Sequence, residues 1–179
     1  MKHVLFPITY ECNLKCAFCA VKSQKGYVVD AAKSISTLKA NKTDIDWVYI
    51  TGGEPFLIDA LFEICQNLRD YGFKVGVTTN GTIFRPEIAE CVDRVGISLD
   101  GPKEYHDKYR GNGVFDKAVA LFYAVKGHCE TVIMSAAFKD NLEELTKLKP
   151  IVEVLDPTYW QIQRDITDPS VVIPESIGG

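Results

Sequence analysis

Short apolar runs, many of them rich in β-branched residues, recur along the chain and alternate with more polar segments. Each run is bounded by turn-forming or Gly-containing residues, a pattern typical of buried strands. The predicted strands are Val4–Thr9, Trp47–Thr51, Val75–Thr79, Val95–Leu99, Thr131–Ala136 and Tyr159–Gln163.

The segments between these runs show the periodicity of helices. Asp30 is predicted to cap a helix that reaches Asn41, and Gly72 is predicted to end a second helix, Ile58–Tyr71. Pro86 can open a short third helix. The remaining predicted helices are Phe115–Lys126, which Gly127 closes, and one that Asn141 caps and Pro150 disturbs.

Strands that alternate with helices predict an α/β fold with a parallel sheet and right-handed crossovers. Six strands are too few to close the usual eight-stranded barrel, so we expect a partial, six-stranded parallel βα barrel. Residues 1–166 are predicted to form this one domain. Residues 167–179 are predicted to form a tail, for which disorder and truncation are both left open.

The composition is that of a globular chain with a packed core. Of the 179 residues 46% are hydrophobic and 25% are charged, unlike disordered segments. The net charge is -4 and no basic stripe is present, so we expect no nucleic acid partner.

No apolar run approaches the ~18 residues that span a bilayer, and no signal peptide is recognisable. We therefore expect a cytoplasmic protein without a membrane partner.

Three of the six cysteines lie close together, as Cys12, Cys16 and Cys19. Disulfide frameworks serve small secreted domains that lack a core, so we expect reduced thiols here. Thiolates at this spacing bind zinc or an iron-sulfur cluster, and a structural zinc needs a fourth ligand that no second Cys or His pair supplies. Three thiolates on a four-iron cluster leave one iron free for another ligand. The remaining cysteines are predicted to be core residues: Cys65, Cys91 and Cys129.

Polar and Gly-rich residues follow the predicted strands, at the edge where α/β proteins place their sites. The cysteines follow the first strand, TGGEP the second, TTNGT the third and SLDG the fourth. In GGEP the glycines permit close approach to the backbone, and Glu54 offers a carboxylate to a cation such as an ammonium. The alternative for GGEP alone is a tight turn with a surface Glu. Its position at the edge that bears the cysteines favours a binding site.

Three stretches of the sequence resemble the radical SAM superfamily. The first is CNLKCAFC, a Cys-x3-Cys-x2-Cys loop with the aromatic Phe18 before its last cysteine, and the second is GGEP. The third, ISLDGPKEYHDKYRGNGVFDKAV, resembles the branch that matures peptides, proteins and cofactors. The resemblance covers about residues 4–165 and implies the partial βα barrel of that superfamily.

The resemblance also implies two cofactors, a four-iron four-sulfur (4Fe-4S) cluster and S-adenosylmethionine. Cys12, Cys16 and Cys19 would hold the cluster, whose free iron would take the amino and carboxylate groups of S-adenosylmethionine. At S-adenosylmethionine, the resemblance implies contacts of the amino group with Gly52, Gly53 and Glu54, and of the ribose and methionine part with Thr79, Asn80 and Ser98. Arg110 would pair with the carboxylate, and the backbone near Phe18 would contact the adenine. Asp100 is also included among the cofactor-binding residues.

Simpler roles remain open for several of these residues. Thr79 and Asn80 also suit a turn with Gly81, and Arg110 also suits a surface or interstrand ion pair. His106 and Asp107 are predicted to be a solvated loop pair. No side chain is assigned a catalytic role.

The activity that the resemblance implies is reductive cleavage of S-adenosylmethionine to methionine and a 5'-deoxyadenosyl radical, which takes hydrogen from a substrate. The implied partners are a one-electron donor of the flavodoxin or ferredoxin type and a peptide or protein, such as a glycyl-radical enzyme.

No cysteine follows the last predicted strand, so this chain cannot build the auxiliary clusters of a SPASM or twitch extension. A compact activating enzyme and the core of a longer maturase are both left open. An electron-transfer iron-sulfur protein and a structural zinc protein are the competing classes.

Overall fold

The computed structural model describes residues 2–24, 26–27, 29–164 and 170–173. All six predicted strands are confirmed, and each lies within one residue of its predicted bounds. The strands are β1 (His3–Thr9), β2 (Trp47–Gly52), β3 (Lys74–Thr79), β4 (Arg94–Ser98), β5 (Glu130–Ala137) and β6 (Tyr159–Arg164).

The strands form one sheet in sequence order, and every neighbouring pair is parallel. Parallel neighbours require crossover connections, which the helices between them supply. Because all strands run in one direction, their carboxyl ends meet at one edge of the sheet. Within the described residues β1 and β6 are the edge strands and do not pair with each other, so the barrel is partial, as predicted.

Helices and short 3₁₀ turns fill the connections. The Asp30 side chain caps the first helix as predicted, since it accepts a hydrogen bond from the Lys33 backbone N–H at 2.9 Å. Pro86 opens a short 3₁₀ helix, Pro86–Glu90, which is also as predicted. The α-helices are α1 (Ala31–Ala40), α2 (Leu61–Asp70), α3 (Lys103–Arg110), α4 (Val114–Val125) and α5 (Leu142–Leu155).

Four local predictions are wrong. Helix α2 begins at Leu61, later than predicted, because Pro55–Leu57 forms its own 3₁₀ turn. The predicted solvated loop at His106 is helix α3, and His106 is fully buried. Asn141 precedes α5 as predicted, but its side chain makes no capping hydrogen bond and instead bonds to Phe138 and Ala136. Helix α5 continues through Pro150, which is exposed.

Alternate side chains of each strand point to opposite faces of the sheet, and the apolar face packs against the helices as the core. Cys65 and Cys91 are buried in this core as predicted, and Cys129 is partly buried against it. Val171, from the predicted tail, is also fully buried there. Residues 165–169 and 174–179 lie outside the described residues, and the domain boundary at residue 166 stays a prediction.

The opposite face of the sheet carries an arginine enclosed by aromatic rings, near the amino ends of the strands. The guanidinium carbon of Arg94 on β4 lies 4.3 Å from the Trp47 ring centroid on β2 and 4.9 Å from the Tyr159 centroid on β6. In a flat sheet β2 and β6 would be separated by about 19 Å. The sheet therefore curves around Arg94, whose Nε also donates to Glu130 at 2.8 Å.

We expect Arg94→Ala to lower the free energy of unfolding by about 1–3 kcal/mol, because it removes partly buried cation–π contacts and the Glu130 ion pair. Urea unfolding followed by circular dichroism measures this loss. Lys117→Ala is the control, since Lys117 is an exposed helical cation without an ion pair among the described residues. Equal unfolding midpoints for Arg94→Ala and the parent would show that the cluster does not stabilise the sheet.

Candidate active site

A cavity of about 670 Å³ lies at the carboxyl edge of the sheet. Its wall brings together ten of the twelve residues predicted from the sequence, whereas Glu54 and Asp100 are buried behind the wall. The ten are Cys12, Cys16, Phe18, Cys19, Gly52, Gly53, Thr79, Asn80, Ser98 and Arg110.

Sequence reasoning missed the rest of the wall. These residues include Thr51 and Thr78 near the ends of β2 and β3, and Ala136 and Gln163 near the ends of β5 and β6. Their position at the ends of predicted strands was the available signal, because carboxyl ends of parallel strands line one edge. The other missed wall residues are Ala20, Val21, Phe138 and Arg164.

The cysteine loop is held on one side by the backbone of the GGEP stretch. Gly53 N–H donates to the Thr9 carbonyl at 2.7 Å, and Glu54 N–H donates to the Glu11 carbonyl at 2.8 Å. A Cβ atom on Gly52 would lie 2.0 Å from the Thr9 oxygen, and one on Gly53 would lie 2.1 Å from the Glu11 oxygen. Both positions therefore require glycine, because the protein's own backbone fills the space that a side chain needs.

Helix α3 and the end of β5 hold the other side of the cysteine loop. The Ala17 N–H donates to the Tyr109 carbonyl at 3.2 Å. The Phe18 ring packs against Phe138 with centroids 5.0 Å apart, and the Arg110 guanidinium carbon lies 5.5 Å from the Phe18 centroid. The loop between Cys16 and Cys19 is thus held by contacts with both α3 and the segment after β5.

The three thiols share the cavity wall without converging on one point. In the part of the chain that the structure describes, no group of three or more His, Cys, Asp or Glu side chains is placed to hold a single metal ion. A tetrahedral zinc would hold its sulfurs at about 2.3 Å and so draw them together. A 4Fe-4S cluster binds each thiolate at a different iron, so separated thiols suit a cluster better.

The environment of the thiols is partly buried and faces a cation. Burial raises the pKa of Cys12 and Cys16, and the nearby Arg110 guanidinium opposes this effect at Cys16. Cys65, Cys91 and Cys129, the free cysteines outside the loop, do not line the cavity.

The Glu54 carboxylate is fully buried and is bound by protein donors. One oxygen accepts from the Phe56 N–H at 2.9 Å and the Thr79 hydroxyl at 2.7 Å, and the other accepts from the Asn80 N–H at 2.7 Å. Burial raises the pKa of Glu54, and these hydrogen bonds oppose the rise. In this structure the carboxylate therefore joins the ends of β2 and β3 from behind the cavity wall.

Arg110 reaches the cavity from α3 and is oriented by a buried carboxylate. Its Nε donates to Asp100 at 2.5 Å, and Asp100 also accepts the Ala136 N–H at 2.8 Å. Burial disfavours the charge of Arg110, but the contact with Asp100 raises its pKa overall. Arg110 thus forms an ion pair, but the pair is buried and joins α3 to the loop after β4, unlike the surface or interstrand pair that the sequence left open.

The polar residues at the ends of β3 and β4 differ in how their side chains are used. The Thr79 hydroxyl donates to Glu54 and accepts from Gly81, and the Asn80 amide bonds to neighbouring protein groups. Both of them therefore shape the turn at the end of β3. Ser98 lines the cavity, and no hydrogen bond to its hydroxyl is found among the described residues.

Comparison with known proteins identifies the family of this site. The family model described as Radical SAM superfamily matches residues 6–149. The chain belongs to the radical SAM superfamily. The family predicted from the cysteine loop and GGEP is therefore confirmed, and an iron-sulfur, S-adenosylmethionine-dependent site is characteristic of it.

Two curated relatives show how widely members of this superfamily differ. AdoMet-dependent heme synthase of Methanosarcina barkeri is 31% identical over 175 residues, which cover 89% of this chain and 49% of the relative. The antilisterial bacteriocin subtilosin biosynthesis protein AlbA of Bacillus subtilis is 32% identical over 160 residues, with 80% of this chain and 35% of AlbA covered. This chain therefore spans about half, or less, of the length of these relatives.

A solved radical SAM structure shares the fold. Streptococcus suis SuiB bound to S-adenosylmethionine matches with a TM-score of 0.77 at 17% identity, over 96% of this chain and 42% of SuiB. SuiB has also been solved with its precursor peptide SuiA. The match confirms the partial barrel. Among the described residues, no helix is both long enough and apolar enough to cross a membrane.

His106 gives the site a pH-dependent stability. Its Nδ1 accepts the Asp100 N–H at 3.2 Å, and its buried Nε2 has no partner among the described residues. Burial, followed by the Arg110 charge, lowers the pKa of His106 from 6.5 to about 4. The unfolded chain therefore binds more protons than the folded chain between these values, and stability falls as the pH falls.

We expect the parent protein to lose about 2–3 kcal/mol of unfolding free energy through His106 between pH 7 and pH 4.5. His106→Asn keeps an acceptor near the Asp100 N–H but does not titrate, so its stability should depend less on pH by that amount. Urea titrations at the two pH values measure this difference. His128→Asn, at an exposed histidine, is the control and should keep the slope of the parent. Equal slopes for His106→Asn and the parent would contradict the assignment.

Proposed function

We propose that this chain reductively cleaves S-adenosylmethionine at a 4Fe-4S cluster and uses the resulting 5'-deoxyadenosyl radical to modify a peptide or protein. The observation that carries the proposal is the placement of Cys12, Cys16 and Cys19 in one cavity wall with Gly52 and Gly53. This chain provides three thiols for the four irons of the cluster. The iron without a thiol would be the site for S-adenosylmethionine.

The protein's own part in this activity is to hold and orient the two cofactors. Cys12, Cys16 and Cys19 would bind the cluster, which supplies one electron to the sulfonium when it is reduced. Arg110 would pair with the carboxylate of S-adenosylmethionine, because Asp100 binds only its Nε and both terminal nitrogens remain for a bidentate contact. The Ser98 hydroxyl, which has no hydrogen-bond partner among the described residues, would contact the methionine part of the ligand.

The GGEP stretch would bind the amino group of S-adenosylmethionine mainly through its backbone. Gly52 and Gly53 line the cavity, whereas the Glu54 carboxylate lies behind them and already accepts three hydrogen bonds. Glu54 would then act by fixing the backbone and by adding a negative charge near the ammonium. Phe18, packed on Phe138, would keep the backbone of the cysteine loop in place beside the adenine.

A peptide or protein substrate suits the open side of the barrel. The β6 residues Gln163 and Arg164 line the cavity, and β6 is an edge strand of the described sheet. An extended chain can therefore approach from that side. AlbA is named for bacteriocin biosynthesis and SuiB binds a precursor peptide, which supports this substrate class over the porphyrin chemistry of the heme synthase. The electron would come from a flavodoxin or ferredoxin.

The competing classes give different results in simple experiments. An electron-transfer protein would keep its cluster spectrum unchanged when S-adenosylmethionine is added to the reduced protein. A structural zinc protein would contain zinc, without iron or sulfide, after anaerobic reconstitution and metal analysis.

We expect the reduced, reconstituted protein to form 5'-deoxyadenosine and Cys16→Ala to reduce this formation to background, because the cluster loses one of three protein ligands. Liquid chromatography with mass spectrometry quantifies the product. Cys129→Ala is the matched control, since Cys129 lies outside the cavity wall, and it should retain the activity of the parent. A variant without all three loop cysteines that still cleaves S-adenosylmethionine at the parent's rate would overturn the proposal.

A further inference from the structure

The side chain of Asn80 has only one orientation that satisfies its neighbours. Its Oδ1 accepts the Thr82 backbone N–H at 2.9 Å and the Thr82 hydroxyl at 2.6 Å. A backbone N–H can only donate, so the amide oxygen must face Thr82. The amide nitrogen must therefore face the opposite way, towards the cysteine loop.

The Asn80 amide also belongs to a closed ring of hydrogen bonds, although the Thr82 N–H by itself sets its orientation. The Asn80 nitrogen donates to the Asn13 side-chain oxygen at 3.0 Å. The Asn13 nitrogen donates to the Thr82 hydroxyl at 2.8 Å, and that hydroxyl donates back to Asn80. Asn80 is 6% exposed, so little water competes for these bonds. The ring joins the end of β3 to the residue that follows Cys12.

The second N–H of the Asn80 amide points at a cysteine sulfur. The Asn80 nitrogen lies 3.8 Å from the Cys12 sulfur, which also accepts the Leu14 backbone N–H at 3.4 Å. Across the described ranges, the other two loop cysteines have no such N–H contact to sulfur. Cys12 is thus the one loop thiol with two donors directed at it.

We propose that Asn80 is a positioning residue that sets the reduction potential of the cluster through its N–H bond to the Cys12 sulfur. The inference rests on the proposed function, because it requires a cluster bound by Cys12. Reduction adds a negative charge to the cluster and its sulfur ligands. An N–H donor stabilises that charge, so hydrogen bonds to the sulfurs raise the potential. The resemblance gave Asn80 a contact with S-adenosylmethionine instead, but its amide is already bonded to Thr82, Asn13 and Cys12.

The test compares two variants that remove the donor in different ways. Asn80→Asp keeps an acceptor for Thr82 but adds a charge, and Asn80→Leu removes the donor without a charge. Each protein is reconstituted anaerobically and poised at a series of potentials without S-adenosylmethionine, and the reduced cluster is quantified by electron paramagnetic resonance. Asn13→Ala is the control, because it removes the other acceptor of the Asn80 amide and leaves the contact with Cys12.

Both Asn80 variants should lower the ratio of reduced to oxidised cluster at least tenfold at a fixed potential, which corresponds to about 59 mV for one electron. Asn13→Ala should stay within twofold of the parent. An Asn80→Leu ratio within twofold of the parent would overturn the proposal, and so would an equal shift in Asn13→Ala. A parent that binds no 4Fe-4S cluster would refute the proposed function as well, whereas an unshifted Asn80→Leu refutes only this inference.

If the Asn80 variants do not assemble the cluster, a second measurement tests the hydrogen bond from Asn80 to the Cys12 sulfur in proteins that keep Asn80. The parent and Asn13→Ala are labelled with ¹⁵N-asparagine, and hyperfine spectra of the reduced cluster are recorded. A coupled asparagine nitrogen that persists in Asn13→Ala supports the bond from Asn80 to Cys12. A spectrum without any coupled asparagine nitrogen contradicts it.

Discussion

The buried carboxylate of Glu54 connects the ends of β2 and β3 through hydrogen bonds from Thr79 and from the Asn80 backbone. The Glu54 N–H reaches the Glu11 carbonyl at the start of the cysteine loop, so one residue joins three neighbouring segments. A buried carboxylate is costly unless donors surround it, and here three donors do. The cavity wall that contains the cysteines depends on this connection.

Helix α3 completes the support of the cysteine loop from the opposite side. Tyr109 accepts a backbone hydrogen bond from Ala17, and Arg110 lies over the Phe18 ring. Asp100 then ties Arg110 to the end of β5, and His106 ties the Asp100 backbone to α3. The site is therefore supported by backbone and buried polar contacts on both sides of the cysteine loop.

The two ends of the sheet have different tasks. At the amino ends of the strands, Arg94 and its aromatic neighbours close the curved face and contribute stability. At the carboxyl ends, glycines and short polar residues leave a cavity of about 670 Å³. This division is general in parallel α/β proteins, in which the loops that leave the carboxyl ends of the strands build the site, whereas the amino edge contributes to stability.

The sequence by itself determined the strands, the parallel sheet and most of the cavity wall. Apolar runs indicate which segments are buried strands. Residues that follow parallel strands meet at one edge of the sheet, so the sequence alone predicted that the cysteines, Gly52, Gly53 and Ser98 lie at that edge. The local sequence pattern did not predict helix α3, because its charged sequence resembles a solvated loop. In the structure His106 on this helix is buried.

Only the tertiary structure decided how the polar side chains are used. The sequence shows that Glu54, Asn80 and Arg110 lie near the site, but hydrogen bonds depend on distances and directions between residues far apart in the chain. The structure therefore assigns Glu54 to Thr79 and Asn80, Arg110 to Asp100, and the Asn80 amide to Cys12. A periodic pattern encodes which side is buried, whereas a buried polar group finds its partner only when the strands are assembled.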